Sequence, residues 1–139
     1  MGKKLRAKVL AQQSFPAWKT ASATEHEKIG YAKVGSSVLQ SGPFNELTPT
    51  AQIVYVKLLA ISHDDRGFSI SYGNMEKNWK VSKSSFQRAL KDLEEAGFIE
   101  RQKIDHCDGE LQYQTSVYCY VTKWKKRLTD DERKKFRGA

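Results

Sequence analysis

The stretch that decides the fold is ISYGNMEKNWKVSKSSFQRALKDLEEAGFIERQK, residues 70–103. At its centre Ser82 is a residue type that caps helix N-termini. Phe86, Leu90 and Leu93 then recur at helical spacing with Ala89 and Ala96 beside them, and Gly97 is suited to the left-handed conformation that ends helices. The spacing predicts a helix over 82–96. Ahead of it, Met75 and Trp79 lie four residues apart on one face of a shorter helix over 72–79, with Ser71 as its cap, and Val81 fills the turn between the two. Behind it, FIERQK reads as a strand, IDHCDGEL holds an Asp-Gly turn signal, and QYQTSVYCYV alternates as a second strand, so that an antiparallel hairpin is expected.

Working outward toward the N-terminus, Phe68 to Ser71 alternates Phe and Ile with Ser, which is a short strand, and HDDRG before it is a loop. Thr48 followed by Pro49 marks the start of another helix, because a proline at the first helical position gives up an amide that would have no partner there. This helix runs to about Ser62. Its residues Ala51, Ile53, Val54, Tyr55, Val56, Leu58, Leu59, Ala60 and Ile61 leave almost no polar face, so it needs cover on more than one side, and residues 29–47 are expected to supply part of that cover. Within them YAKV (31–34) is strand-like, SSVLQS (36–41) is one helical turn, and SGPF (41–44) is a turn by its Gly-Pro pair.

The expected order is helix, short strand, short helix, turn, longer helix, hairpin. In spacing and residue type, residues 70–103 resemble the helix-turn-helix of bacterial winged-helix DNA-binding proteins, with Ile-Ser, a short helix, Val-Ser, a longer helix and then Gly-Phe-Ile. The resemblance implies an α+β, mainly α fold: a three-helix core with a small antiparallel β-hairpin as its wing. Upstream, YAKVGSSVLQSGPFNELTPTAQIVYVKLLA (31–60) resembles the opening of winged-helix replication initiators from plasmids, phages and conjugative elements. The organisation expected is a basic arm over 1–30, a winged-helix domain over 31–122, and a basic tail over 123–139. The tail holds a short helix, for which Thr129 and Glu132 match a capping box and Arg133 to Arg137 suit the dipole of the last turn.

If Phe86, Ala89, Leu90 and Leu93 face the core, then Lys83, Ser84, Ser85, Gln87, Arg88 and Lys91 are left to meet a partner. Ser and Lys reach phosphates, Gln pairs with adenine and Arg with guanine in the major groove, and the free amides at the helix start add positive potential. Lys77, Lys80 and Ser82 join this group, since five bases and no acid fall between Lys77 and Lys91. Asp92, Glu94 and Glu95 follow at once, so the front of the helix is its DNA end. Arg101 and Lys103 at the base of the wing, and Lys125 and Lys126 beside Trp124, complete the expected contact set, with Trp124 itself packed on the domain. The wing tip is acidic, at Asp105, Asp108 and Glu110, and a tip of that sign either stands off the duplex or meets a protein.

Charge distribution supports a polyanionic partner. Residues 1–30 carry six Lys/Arg against two acids, residues 123–139 eight against three, and residues 31–122 ten against eleven, so the net charge of +8 sits in the termini. At 39% hydrophobic residues the chain has the material for a core. No apolar run is long enough to span a bilayer and no signal peptide is recognisable, so a cytoplasmic location without membrane contact is expected. Cys107 and Cys119 are expected as reduced thiols, and His106 with Cys107 lacks a second ligand pair, so no metal or cofactor is expected. No nucleophile elbow, phosphate-cradling glycine loop or paired-carboxylate signature is present, so an enzyme is not expected. The expected function is double-stranded DNA binding in replication initiation or transcriptional regulation of a mobile element, with self-association as a homodimer and contacts to replication or transcription proteins as further expectations. The alternative is a winged helix serving as a protein-interaction module, which the acidic tip and near-neutral body would suit.

Overall fold

The computed structural model describes residues 19–23, 29–62, 66–102 and 116–137. The chain divides into two compact units, Met1–Tyr31 and Ala32–Ala139, and the second holds every element whose span is described. Its order is α1 (Ser36–Gln40), α2 (Gly42–Asn45), α3 (Pro49–Ser62), β1 (Gly67–Ile70), α4 (Tyr72–Trp79), α5 (Lys83–Ala96), β2 (Ile99–Arg101), β3 (Ser116–Tyr120), a 3-10 helix η1 (Lys123–Arg127) and α6 (Asp130–Arg137). Three helices α3, α4 and α5 with a small antiparallel sheet make this a winged helix of the α+β class, mainly α.

α5 forms where its end signals say it should. Ser82 is extended (φ −61°, ψ 152°) and its Oγ accepts from the Ser85 amide at 3.2 Å. At the other end Gly97 takes φ +90°, its amide donates to Glu94 O at 3.1 Å, and the Phe98 amide donates to Leu93 O at 3.0 Å, closing the last turn. Phe86, Ala89, Leu90, Leu93 and Ala96 are buried, as their spacing requires. α3 crosses this face with Ala51, Val54, Tyr55 and Leu58, and Trp79 of α4 meets Phe86 edge-on at 5.8 Å. Ser71 stands at the N-cap of α4 without a side-chain capping bond.

The sheet has the order β1-β3-β2, with Gly67 opposite Cys119 and Ile99 opposite Tyr120. β1 is thus a third strand on the outer side of β3, which turns the expected two-stranded hairpin into a three-stranded sheet. The wing tip, including Asp105, His106, Cys107, Asp108 and Glu110, lies outside the described residues, as do Lys103 and the basic residues at the start of the chain. Tyr120 ties the sheet to α3: its hydroxyl lies 2.6 Å from Ser62 Oγ, and burial pushes its ionisation up to about 12.

Two local expectations are corrected. Residues 31–34 form no strand, because the ladder partners of the sheet are all taken from later residues and an alternating run without a partner has no bonds to fix it. Gly42-Pro43 opens the short helix α2 rather than a turn: Ser41 caps it, accepting from the Phe44 amide at 3.4 Å, and Pro43 occupies the first turn, where its lack of an amide costs nothing. Phe44 and Leu47 then give α3 its second cover, Phe44 lying 6.2 Å from the rings of both Tyr55 and Phe98. The cover is partial, because Ile53 and Ile61 remain 54% and 40% exposed on the outer face of α3.

The C-terminal segment packs back on the body. Trp124 is buried with its ring stacked on Phe98 (5.2 Å, 5°), its amide donating to Gly97 O at 3.1 Å. A Cβ on Gly97 would stand 2.7 Å from the Trp124 nitrogen, so this position needs glycine for space as well as for φ. The capping box of α6 is formed, with the Glu132 amide donating to Thr129 Oγ1 at 3.1 Å and the Thr129 amide to Glu132 Oε1 at 3.2 Å. Glu132 also accepts from the Gly42 amide at 2.9 Å, and these backbone donors hold its carboxyl below the usual range.

Candidate nucleic-acid interface

The burial of Phe86, Leu90 and Leu93 decides what the opposite side of α5 presents. Ser84, Gln87, Arg88 and Lys91 are all exposed and fall at i, i+3, i+4 and i+7, a single stripe facing away from the core. From Ser84 to Lys91 the stripe is about 10 Å long at 1.5 Å per residue, within the roughly 12 Å width of the DNA major groove. Lys83 and Ser85 flank it, both exposed. Continued one turn, the same stripe reaches Glu94 and Glu95, so its sign changes along the helix.

The front of the stripe is held from two sides. Ser82 Oγ lies 2.9 Å from Ser85 Oγ and 3.3 Å from Ser84 Oγ, a hydroxyl cluster over the first amides of the helix. No acid lies in the first turn of α5, so the positive end of its dipole is unopposed there. Before Ser82 the chain turns sharply at Lys80, a non-glycine residue at φ 54°, ψ 35°, whose amide donates to Glu76 O at 3.0 Å. This left-handed residue sets the angle between α4 and α5 and brings exposed Lys77 and Lys80 to the entry of α5.

Nine of the thirteen residues expected to touch a partner therefore gather on one region of chain, from Lys77 to Lys91, and a tenth lies on the sheet. Lys77, Lys80, Ser82, Lys83, Ser84, Ser85, Gln87, Arg88 and Lys91 are the first nine, and Arg101 is exposed at the end of β2, opposite Tyr118 in the ladder. Lys103 lies outside the described residues. Lys125 and Lys126 are not brought to this front. They sit on η1, which docks at the far end of α5, where Arg127 Nη2 donates to Glu95 O at 3.0 Å.

One cation near this region is absent from the sequence-based set. Lys57, the only charged residue of α3, places its Nζ 5.6 Å from the centre of the Trp79 ring, over the face of the first helix of the pair. The signal available was a single lysine in an otherwise apolar helix, which gives no direction until α3 and α4 are packed.

Residues 45–99 match the family model of a helix-turn-helix domain, which spans α3, β1, α4 and α5 and ends in β2. No curated protein and no solved structure matches the chain. Among the described residues no helix is long and apolar enough to cross a membrane.

Proposed function

We propose that this chain, which carries a helix-turn-helix domain, binds double-stranded DNA by laying the front half of α5 in the major groove, and that it serves replication initiation or transcriptional regulation of a mobile element. One observation carries the proposal: Ser84, Gln87, Arg88 and Lys91 form a groove-length stripe on a helix whose other face is locked in the core, preceded by a turn that adds Lys77 and Lys80. Arg88 and Gln87 have the forked donor and acceptor geometry that reads guanine and adenine edges. Lys77, Lys80, Lys83 and Lys91, with the Ser82–Ser85 hydroxyls and the helix amides, are suited to phosphates on either side. Arg101 adds a backbone contact from the sheet. The replication-initiator side of the proposal draws its support from the resemblance of residues 31–60 to such proteins.

The test is a titration of labelled duplex at several salt concentrations, followed by selection of bound duplexes from a random pool. Wild-type protein is expected to bind with an affinity that falls steeply with salt, and R88A with K91A together to lose about 2 kcal/mol or more of binding, with R88A relaxing sequence preference at one position. Binding that is absent at low salt, or unaffected by the double substitution, removes the proposal. An inverted repeat among the selected sites would show that two copies act together.

A further inference from the structure

α5 separates two cationic surfaces. Glu95 stands about 20 Å along the helix from Ser82 at 1.5 Å per residue, and around Glu95 the chain returns as η1 and α6. Their backbone is fixed by several bonds: Trp124 stacks on Phe98, Arg127 Nη2 donates to Glu95 O, Arg133 Nη2 donates to Lys126 O at 3.2 Å, and Glu132 receives the Gly42 amide. Lys123 pairs with Glu100 at 3.2 Å. After those contacts are made, Lys125, Lys126, Lys134 and Arg137 are exposed and form no ion pair among the described residues, Lys125 lying 5.8 Å over its neighbour Trp124.

Between this surface and the front of α5 lies a band of the opposite sign. Asp92, Glu94 and Glu95 interrupt the stripe on α5, and Asp92 and Glu95 together with Glu46 line a cleft of about 340 Å³ that borders Arg127. A duplex seated on Arg88 and Lys91 meets these carboxylates before it reaches η1, and phosphates against carboxylates in a cleft repel. The two cationic surfaces are thus poorly placed to share one straight duplex.

We propose that the η1–α6 surface is a second site for nucleic-acid backbone, so that one chain holds two duplex segments at once. The contact is of the phosphate-neutralising kind, because three of the four cations are lysines, which meet phosphate as point charges, and the exposed Asp130 and Asp131 at the start of α6 leave the cations to η1 and the last turn of the helix. This inference rests on the reading that the front of α5 binds duplex.

The experiment captures a second duplex. A biotinylated duplex of about 30 base pairs on beads is loaded with the full chain at about 50 mM salt, washed, and offered a labelled duplex of the same sequence. Wild-type protein is expected to retain the label. The variant K125A/K126A/K134A/R137A is expected to lower retention about tenfold while its affinity for a single duplex and the salt slope of that affinity stay within about twofold. Its circular dichroism and melting temperature serve as the check that it folds, since all four side chains are exposed and Lys125 alone among them touches a core residue, the ring of Trp124. Protein that stays on the first duplex but retains no second overturns this proposal alone, and protein that fails on the first sinks the α5 reading with it. Retention that survives the four substitutions assigns the bridging to pairs of chains and overturns the proposal. So does a fall in single-duplex affinity with a flatter salt slope, which would place both surfaces on one duplex.

Discussion

α3 and α5 are helices of equal length, fourteen residues each, that pack into one core, yet their outer faces have little in common. α5 turns every large apolar side chain inward and presents Ser, Gln, Arg and Lys on the outside of its front half, followed by Glu94 and Glu95. α3 buries Ala51, Val54, Tyr55 and Leu58 but also carries Ile53 and Ile61 on the outside, and its one charge leans over Trp79. Both helices supply a core face of the same quality, so burial alone does not mark a functional helix. What marks α5 is the composition of the face that the core does not need, together with caps that fix that face in place.

The largest expected effect comes from testing the two faces against each other. Leu93 of α5 is fully buried, and Leu93→Ala is expected to cost about 2–5 kcal/mol by leaving a cavity, whereas Ile53→Ala on the open face of α3 should change stability by no more than about 0.5 kcal/mol. Urea unfolding midpoints measure both. Equal losses would mean that the outer face of α3 is covered in solution, and the contrast between the helices would break. Next in size is Gly97→Ala at the end of α5. The new methyl meets the Trp124 backbone at 2.7 Å and the residue must hold φ +90°, so a loss of about 2–4 kcal/mol is expected. A loss under about 1 kcal/mol would show that η1 moves aside easily, and would weaken the case that it is rigidly docked.

The same contrast shows which parts of the molecule were legible in the sequence. α5 was readable because its information is local: a cap at Ser82, apolar residues at helical spacing and a glycine end. The outward stripe followed from those positions alone. α3 was readable as a helix, while the side it leaves open was not, since that depends on which neighbours arrive. The strand expected at residues 31–34 failed for the same reason: alternation is local, but a strand exists only through its partner, and β3 took β1 instead. For Lys125 and Lys126 the sequence supports phosphate contact, because basic residues beside an aromatic suit phosphate, but it gives no position relative to α5. Their place at the rear of α5 is set by Trp124 finding Phe98, a contact that no spacing rule contains.

Helix starts offer a finer comparison. Ser82→Ala is expected to cost about 1 kcal/mol, because the Ser85 amide at 3.2 Å loses its acceptor and the hydroxyl cluster is broken. Thr48 accepts from the Ala51 amide at a longer 3.3 Å, and Pro49 leaves α3 one amide fewer to satisfy, so Thr48→Ala should cost less. Thermal melts followed by circular dichroism rank the two. The reverse order would mean that α5 is held mainly by its packing and that its front end needs no cap to stay rigid.

The smallest effect separates the shape of the site from its charge. Lys80 holds a left-handed conformation that costs an L-residue about 1 kcal/mol, and glycine adopts it freely but loses more entropy on folding, so Lys80→Gly should raise stability by about 0.5 kcal/mol or less. Duplex affinity should move the other way, by a few-fold, since one phosphate-reaching ammonium is gone. The two measurements pull apart only if the backbone at residue 80 makes the turn and the side chain serves the partner. A variant that melts earlier would show that the lysine side chain itself braces α4 against α5, and the strained turn would then belong to the scaffold and not to the binding face.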